Sequence, residues 1–237
     1  MVVALVLSNI DSTGGDQPNT APHHAPSPLE VHAGRLEGQL AMGPGGKKLL
    51  LALMKAWINA GNERIQAVNT ATQPIPIIAV RDLRAGLQAW NRYLGQAGSK
   101  ATVVAAETAS GTFLQLVEIG SRSLSEIKSN TAGAVRAQRI ATGRRPTLFT
   151  LSNLAIYEYF DGNFSAGDEA ARRAAADATP KSMTKSVEIQ LEEYRERGKK
   201  FTERLRRAAR ALRESGKEQL PAPLKGFGSP AGLNGGE

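Results

Sequence analysis

The sequence predicts an all-α protein, a single helical-bundle core flanked by flexible N- and C-terminal arms. Three observations carry that expectation. Aromatic residues make up 5% of the 237 positions while alanine and arginine are frequent. That mixture favours helices with small-residue contacts over sandwiches, which want Val, Ile, Thr, Tyr and Phe. Apolar residues recur at three- and four-residue steps through the interior of the chain, whereas proline and glycine gather towards its two ends. A hydrophobic content of 41% is enough for one good core.

Taken in order, Met1–Leu7 is apolar but has no basic residue ahead of it, so a secretory signal is not expected. Residues 8 to about 46 hold Pro18, Pro22, Pro26, Pro28 and Pro44 among many glycines. Such a stretch offers too little apolar surface to offset its ordering entropy and is expected to be a flexible arm over residues 1–46. The core is expected over 47–214. Leu49 to Ile58 is apolar nearly all round, as in a buried helix, and Lys55 keeps it short of a membrane span. Pro74 and Pro76, with Ile75, Ile77 and Ile78, read as a turn or short extended piece. Val80, Leu83, Leu87, Trp90 and Leu94 share one face of a second helix, ended by Gly95. Phe113, Leu116, Val117, Leu124 and Ile127 continue the pattern in a third region.

Pro146 precedes a helix through Leu151–Phe160, which Gly162 breaks. Ser165 with Asp168 has the spacing of a capping box for an alanine-rich helix to Ala178, and Pro180 separates that helix from the last one. The last helix is the most regular. Val187, Leu191, Tyr194, Gly198, Phe201, Leu205, Ala208 and Leu212 alternate steps of four and three, a stripe of heptad type. The tail, 215–237, is again rich in proline and glycine and is expected to be the second flexible arm.

Charge narrows the partners. The chain carries a formal +8, which calls for an anionic partner, nucleic acid first and an acidic membrane surface second. Nearly all of that surplus lies between Arg195 and Arg213, either a solvated helix face or an electrostatic wall against phosphates. A second basic cluster comprises Arg122, Lys128, Arg136, Arg139, Arg144 and Arg145, residue types that bind phosphates through bidentate hydrogen bonds.

Catalytic chemistry is hard to find. There is no cysteine, so thiolate zinc sites and cysteine nucleophiles are excluded. His23, His24 and His32 all fall in the expected amino-terminal arm, leaving the core without imidazole for a relay or a metal site. Gly43-Pro44-Gly45-Gly46-Lys47-Lys48 is a poor phosphate loop, with Ala41 in place of the first glycine and Lys48 in place of Ser or Thr. The expectation is a protein that is not an enzyme and uses no cofactor or metal.

Two motifs remain. Thr112-Phe113-Leu114-Gln115-Leu116 is followed about 40 residues later by Leu154-Ala155-Ile156-Tyr157-Glu158-Tyr159-Phe160-Asp161-Gly162. The pair resembles motifs of the coat proteins of flexuous filamentous plant RNA viruses, of potyvirus and potexvirus type. The resemblance covers about 50 residues. It implies a helical core that grips genomic single-stranded RNA, an amino-terminal arm hooked onto a neighbouring subunit, and a carboxy-terminal arm lining a filament. It also implies residence in the virion and the host cytoplasm. By position, Gln115 matches the motif glutamine and Glu158 stands where the family has an aspartate near the RNA. Leu114 replaces the arginine that ordinarily pairs with that aspartate. A buried Glu158 therefore needs a substitute cation, for which Arg122 and Arg139 are the candidates. The expected RNA site is Gln115, Arg122, Lys128, Arg136, Arg139, Arg144, Arg145 and Glu158.

A competing resemblance is to half of a tetratricopeptide repeat, carried by Tyr159, Gly162-Asn163-Phe164, Ala171, Ala174 and Pro180, with Phe164 and Phe201 spaced near that repeat's period. It implies an adaptor for protein partners. A third possibility is a basic bacterial or phage nucleic-acid-binding or assembly protein on an unrelated helical fold.

Overall fold

A computed structural model describes residues 26–43, 46–68, 74–121, 123–179 and 181–220. Among the described residues there are eight α-helices and no strand: α1 (Pro28–Ala41), α2 (Lys47–Gln66), α3 (Ile77–Ala97), α4 (Val103–Ile119), α5 (Leu124–Arg144), α6 (Leu148–Asp161), α7 (Phe164–Asp177) and α8 (Ser182–Ser215). A 3₁₀ turn, Gly98–Lys100, joins α3 to α4. The helices pack mainly on their chain neighbours, as the pairs α2/α3, α4/α5 and α6/α7, with α1 against α2 and α8 across α6 and α7. One contiguous apolar core runs from Ala33 to Leu220, centred on Trp90, Leu116, Ile127, Tyr159 and Phe160.

Glycine sets the closest crossings. A Cβ on Gly86 would lie 2.5 Å from Ile58 where α3 meets α2. One on Gly198 would lie 2.7 Å from the Tyr159 carbonyl oxygen where α8 meets α6. Gly162 ends α6 in the left-handed region at φ 86°, as its place after the motif suggests.

Several boundaries differ from the sequence expectation. Residues 28–41, assigned above to a flexible arm, form α1, which belongs to the core. Pro28 begins a helix instead of breaking one, because it occupies the first turn, where its missing N–H has no partner to lose. Ser27 and Glu30 form a reciprocal capping box, and Ala33, Leu36 and Leu40 bury against α2. His32 is thus an exposed residue of the core, not of an arm; His23 and His24 lie outside the described residues. Ile77 and Ile78 open α3. That helix runs past Gly95 to a cap at Gly98, φ 54°. The third apolar region is two helices, broken at Gly120–Ser123.

Ser165 and Asp168 form no capping box. Asn163 caps α7 without a side-chain bond, and Asp168 instead accepts from the Tyr159 hydroxyl (3.1 Å) and Arg195 Nε (2.8 Å), stapling α6, α7 and α8. At the other end the tail begins packed, since Leu220 is buried in the core. The remaining parts of both expected arms, residues 1–25 and 221–237, lie outside the described residues.

Candidate nucleic-acid interface

The site is built on α5. Its inner face buries Ile127, Ala134, Ala137 and Ala141. A polar staple fixes its rotation: Ser110 Oγ on α4 donates to Gln138 Oε1 (2.9 Å), while Gln138 Nε2 donates to the Thr150 carbonyl at the start of α6 (3.0 Å). Thr142 Oγ1 donates to that same carbonyl. With that face held inward, Lys128, Ala132, Arg136, Arg139 and Gly143, spaced by 4, 4, 3 and 4, must share the outer face, and all five are exposed. Arg144 follows at the end of the helix, about 100° round from Gly143. From Lys128 to Arg144 these cations extend about 24 Å along the helix at 1.5 Å per residue.

Arg136, Arg139 and Arg144 line a groove of about 880 Å³. Ile140 and Val135 contribute its apolar lining, and Asp161 and Asn163, at the α6–α7 turn, contribute polar groups. Arg144 Nη1 donates to the Ser99 carbonyl in the 3₁₀ turn (3.4 Å). Among the described residues Lys128, Arg136 and Arg144 have no ion pair. Arg139 does: its Nε and Nη2 lie 2.8 and 2.7 Å from Glu158 Oε1. Glu158 is 1% exposed. Asn163 Nδ2 donates to its second oxygen (3.2 Å) and to Asp161 Oδ2 (2.9 Å), and Thr131 Oγ1 donates to Asp161 Oδ1 (2.7 Å). The cation that compensates the buried Glu158 is therefore Arg139, one of the two candidates.

Lys128, at the other end of the row, faces the end of α8 across a shallow cleft shared with Arg213 and Lys217. Arg206, Arg210 and Arg213 follow at four and three along the exposed side of α8. Much of the α8 charge is already used within the protein. Arg195 binds Asp168, Lys199 binds Glu196 at 2.5 Å and Arg207 binds Glu203. Arg197 stacks over the Tyr194 ring at 5.0 Å. The bonds from Lys199 and Arg207 hold the Glu196 and Glu203 carboxyls below the ordinary value.

The structure separates Gln115 and Arg145 from this face. Gln115 lines a different cleft, between α2, α4 and α6, and donates to Asn62 Oδ1 (3.2 Å). Arg145 caps α5 and acts electrostatically on Glu107, whose carboxyl burial pushes up and Arg145 pulls down. Arg122 lies outside the described residues. Asn163 and Asp161 were missed by sequence reasoning; the Asp-Gly-Asn run beside Glu158 was the available signal. No group of three metal-ligating side chains occurs among the described residues, and no described helix is long and apolar enough to cross a membrane. Phe164 opens α7 whereas Phe201 lies within the unbroken α8, so their spacing does not mark equivalent positions of a repeat. Compared with protein-family models, curated proteins and solved structures, the chain finds no match in any of the three.

Proposed function

We propose that this chain is a non-enzymatic coat protein that polymerises into a helical filament around single-stranded RNA. The outer row of α5 lies against the phosphates, and the observation that carries the reading is that row itself. Lys128, Arg136 and Arg139 stand exposed on one face of one helix, and Arg136, Arg139 and Arg144 line a groove of about 880 Å³. A line of cations neutralises an extended polyanion and reads backbone, not base edges, so binding is largely indifferent to sequence. Arg139 bound to Glu158 fits the resemblance to filamentous virus coat proteins, because it supplies the charge pair that Leu114 alone would leave broken. On this reading the chain works in the virion and, before assembly, in the host cytoplasm, with residues 1–25 and 221–237 joining neighbouring copies.

Negative-stain electron microscopy of the purified full chain, with extraction of nuclease-protected RNA, tests the proposal. Filaments of constant diameter containing RNA, which dissociates above roughly half-molar salt, are the expected result. Monodisperse monomers that carry no RNA at low salt would refute it.

A further inference from the structure

At its amino-terminal end the outer face of α5 opens into a cleft of about 590 Å³ shared with the end of α8. Ser125 and Lys128, three residues apart on that face, line one side, and Ala209, Arg213 and Lys217 line the other. A backbone turn brings Lys217 there. Gly216 leaves α8 in the left-handed region at φ 64°, and the Lys217 N–H donates back to the Leu212 carbonyl (3.2 Å), which holds Lys217 beside the last turn. One carboxylate, Glu218, stands in the cleft against three cations.

The cationic lining continues along α8. At about 100° per residue, Arg206 and Arg213 both lie within about 60° of Ala209, so they flank the cleft side of the helix. Both are exposed. The ion pairs of α8 use Arg195, Lys199 and Arg207; Arg206, Arg213 and Lys217 form none among the described residues. Glu203, on which Arg206 also acts, is bound by Arg207. The large exposed apolar side chains of α8, Met183 and Ile189 among the described residues, lie at the opposite end of the helix. A helix lying on a lipid surface wants such groups beside its cations, whereas a phosphate strand needs none.

We propose that one RNA strand, having followed the outer face of α5, crosses this cleft and continues along α8 past Arg213 and Arg206. The proposal rests on the assignment of the α5 face to RNA and adds a second contact surface to it. Lys128, Arg213 and Lys217 neutralise the phosphates at the crossing, and from Arg213 to Arg206 the path gains about 10 Å of helix at 1.5 Å per residue.

The test is fluorescence anisotropy of nuclease-treated, RNA-free full chain with a labelled oligouridine of about 12 nucleotides over a series of salt concentrations. One strand per chain is expected. Arg206→Gln with Arg213→Gln should melt like the wild type and flatten the slope of log affinity against log salt by about 1.4, two phosphates at about 0.7 each. The chain has no cysteine, so Ala209→Cys takes a single photoreactive label in the cleft, and that label should crosslink to the strand. An unchanged slope in the folded α8 variant, two strands bound per chain, or no crosslink from the cleft would overturn the proposal. In each of these cases the α5 assignment stands if Arg136→Glu with Arg144→Glu still weakens binding. Should that α5 variant bind normally while the α8 variant does not, the α5 assignment falls and the continuous path falls with it. Phosphatidylglycerol vesicles are the remaining arm: binding them more tightly than RNA, with loss in the α8 variant, would give this surface to lipid instead.

Discussion

Where α1 packs on α2, Arg64 is itself buried, its side chain 8% exposed, between Glu30 and Asp82 of α3, with Nε 3.2 Å from Asp82 Oδ2. Arg81 closes the group from outside, with Nη2 3.0 Å from Glu30 Oε1 and 2.8 Å from Asp82 Oδ1. At the α5 face the anion, Glu158 of α6, is just as deep, but Arg139 reaches it from a side chain that stays 57% exposed. Both sites satisfy a buried carboxylate. At the first the central cation is sealed and the exposed Arg81 only backs it; at the second the one charged partner is itself half in water beside a groove. A sealed cation can do nothing but hold helices together. A half-exposed one holds a helix and, on the proposed reading, also presents charge to RNA.

The contrast predicts a graded set of losses. Arg64→Met leaves Glu30 and Asp82 without their central buried partner and should cost about 3–5 kcal/mol in urea unfolding; a cost under about 1 kcal/mol would erase the distinction between the two sites. Arg139→Met should cost less, about 1–3 kcal/mol, because water can enter where the guanidinium stood and Asn163 still donates to Glu158. Adding Glu158→Gln to it should recover part of that loss. Arg139→Glu is a poor probe of RNA binding, since it sets two carboxylates together and unsettles the fold. Arg136→Glu with Arg144→Glu avoids this: neither has an ion pair among the described residues, so the double variant should melt like the wild type while retaining little RNA, read by absorbance of the purified protein.

The smallest effect concerns pH. Burial raises the Glu107 carboxyl above the ordinary glutamate value of 4.5, so the folded state prefers it protonated. Its favourable contribution is complete below 4.5 and is lost as pH rises through the raised value. Glu107→Gln, which cannot ionise, should therefore melt slightly higher than wild type at neutral pH, with the difference closing below 4.5. A difference that is constant with pH would mean that Glu107 does not titrate differently on folding.

Much of the fold was legible because its signals were periodic. The stripe from Val187 to Leu212 lies along the packed side of α8, with Leu191, Tyr194, Gly198 and Phe201 buried. Val80, Leu83, Leu87 and Trp90 are buried together on α3. What failed was punctuation. Pro28 was counted as a breaker although Ser27-Pro28-Leu29-Glu30 carries a helix-start signature, and Asp168 was given a local cap although a cross-helix staple claimed it. At the site, the need for a cation at Glu158 followed from the resemblance, which implied a paired acidic residue there, and Arg139 was one of two candidates for it. That Gln115 and Arg145 face elsewhere could not be read from spacing, because it depends on how α4 and α5 are rotated against α2 and α6.

The most direct test of the α5 row is the salt dependence of single-stranded RNA binding, measured by fluorescence anisotropy with a short labelled oligouridine. Each phosphate neutralised on a single strand contributes about −0.7 to the slope of log affinity against log salt. A row of three or four cations should give a slope between about −2 and −3, and Arg136→Glu with Arg144→Glu should flatten it by about 1.4 or more. A slope that the double variant leaves unchanged would contradict the assignment of this face to RNA.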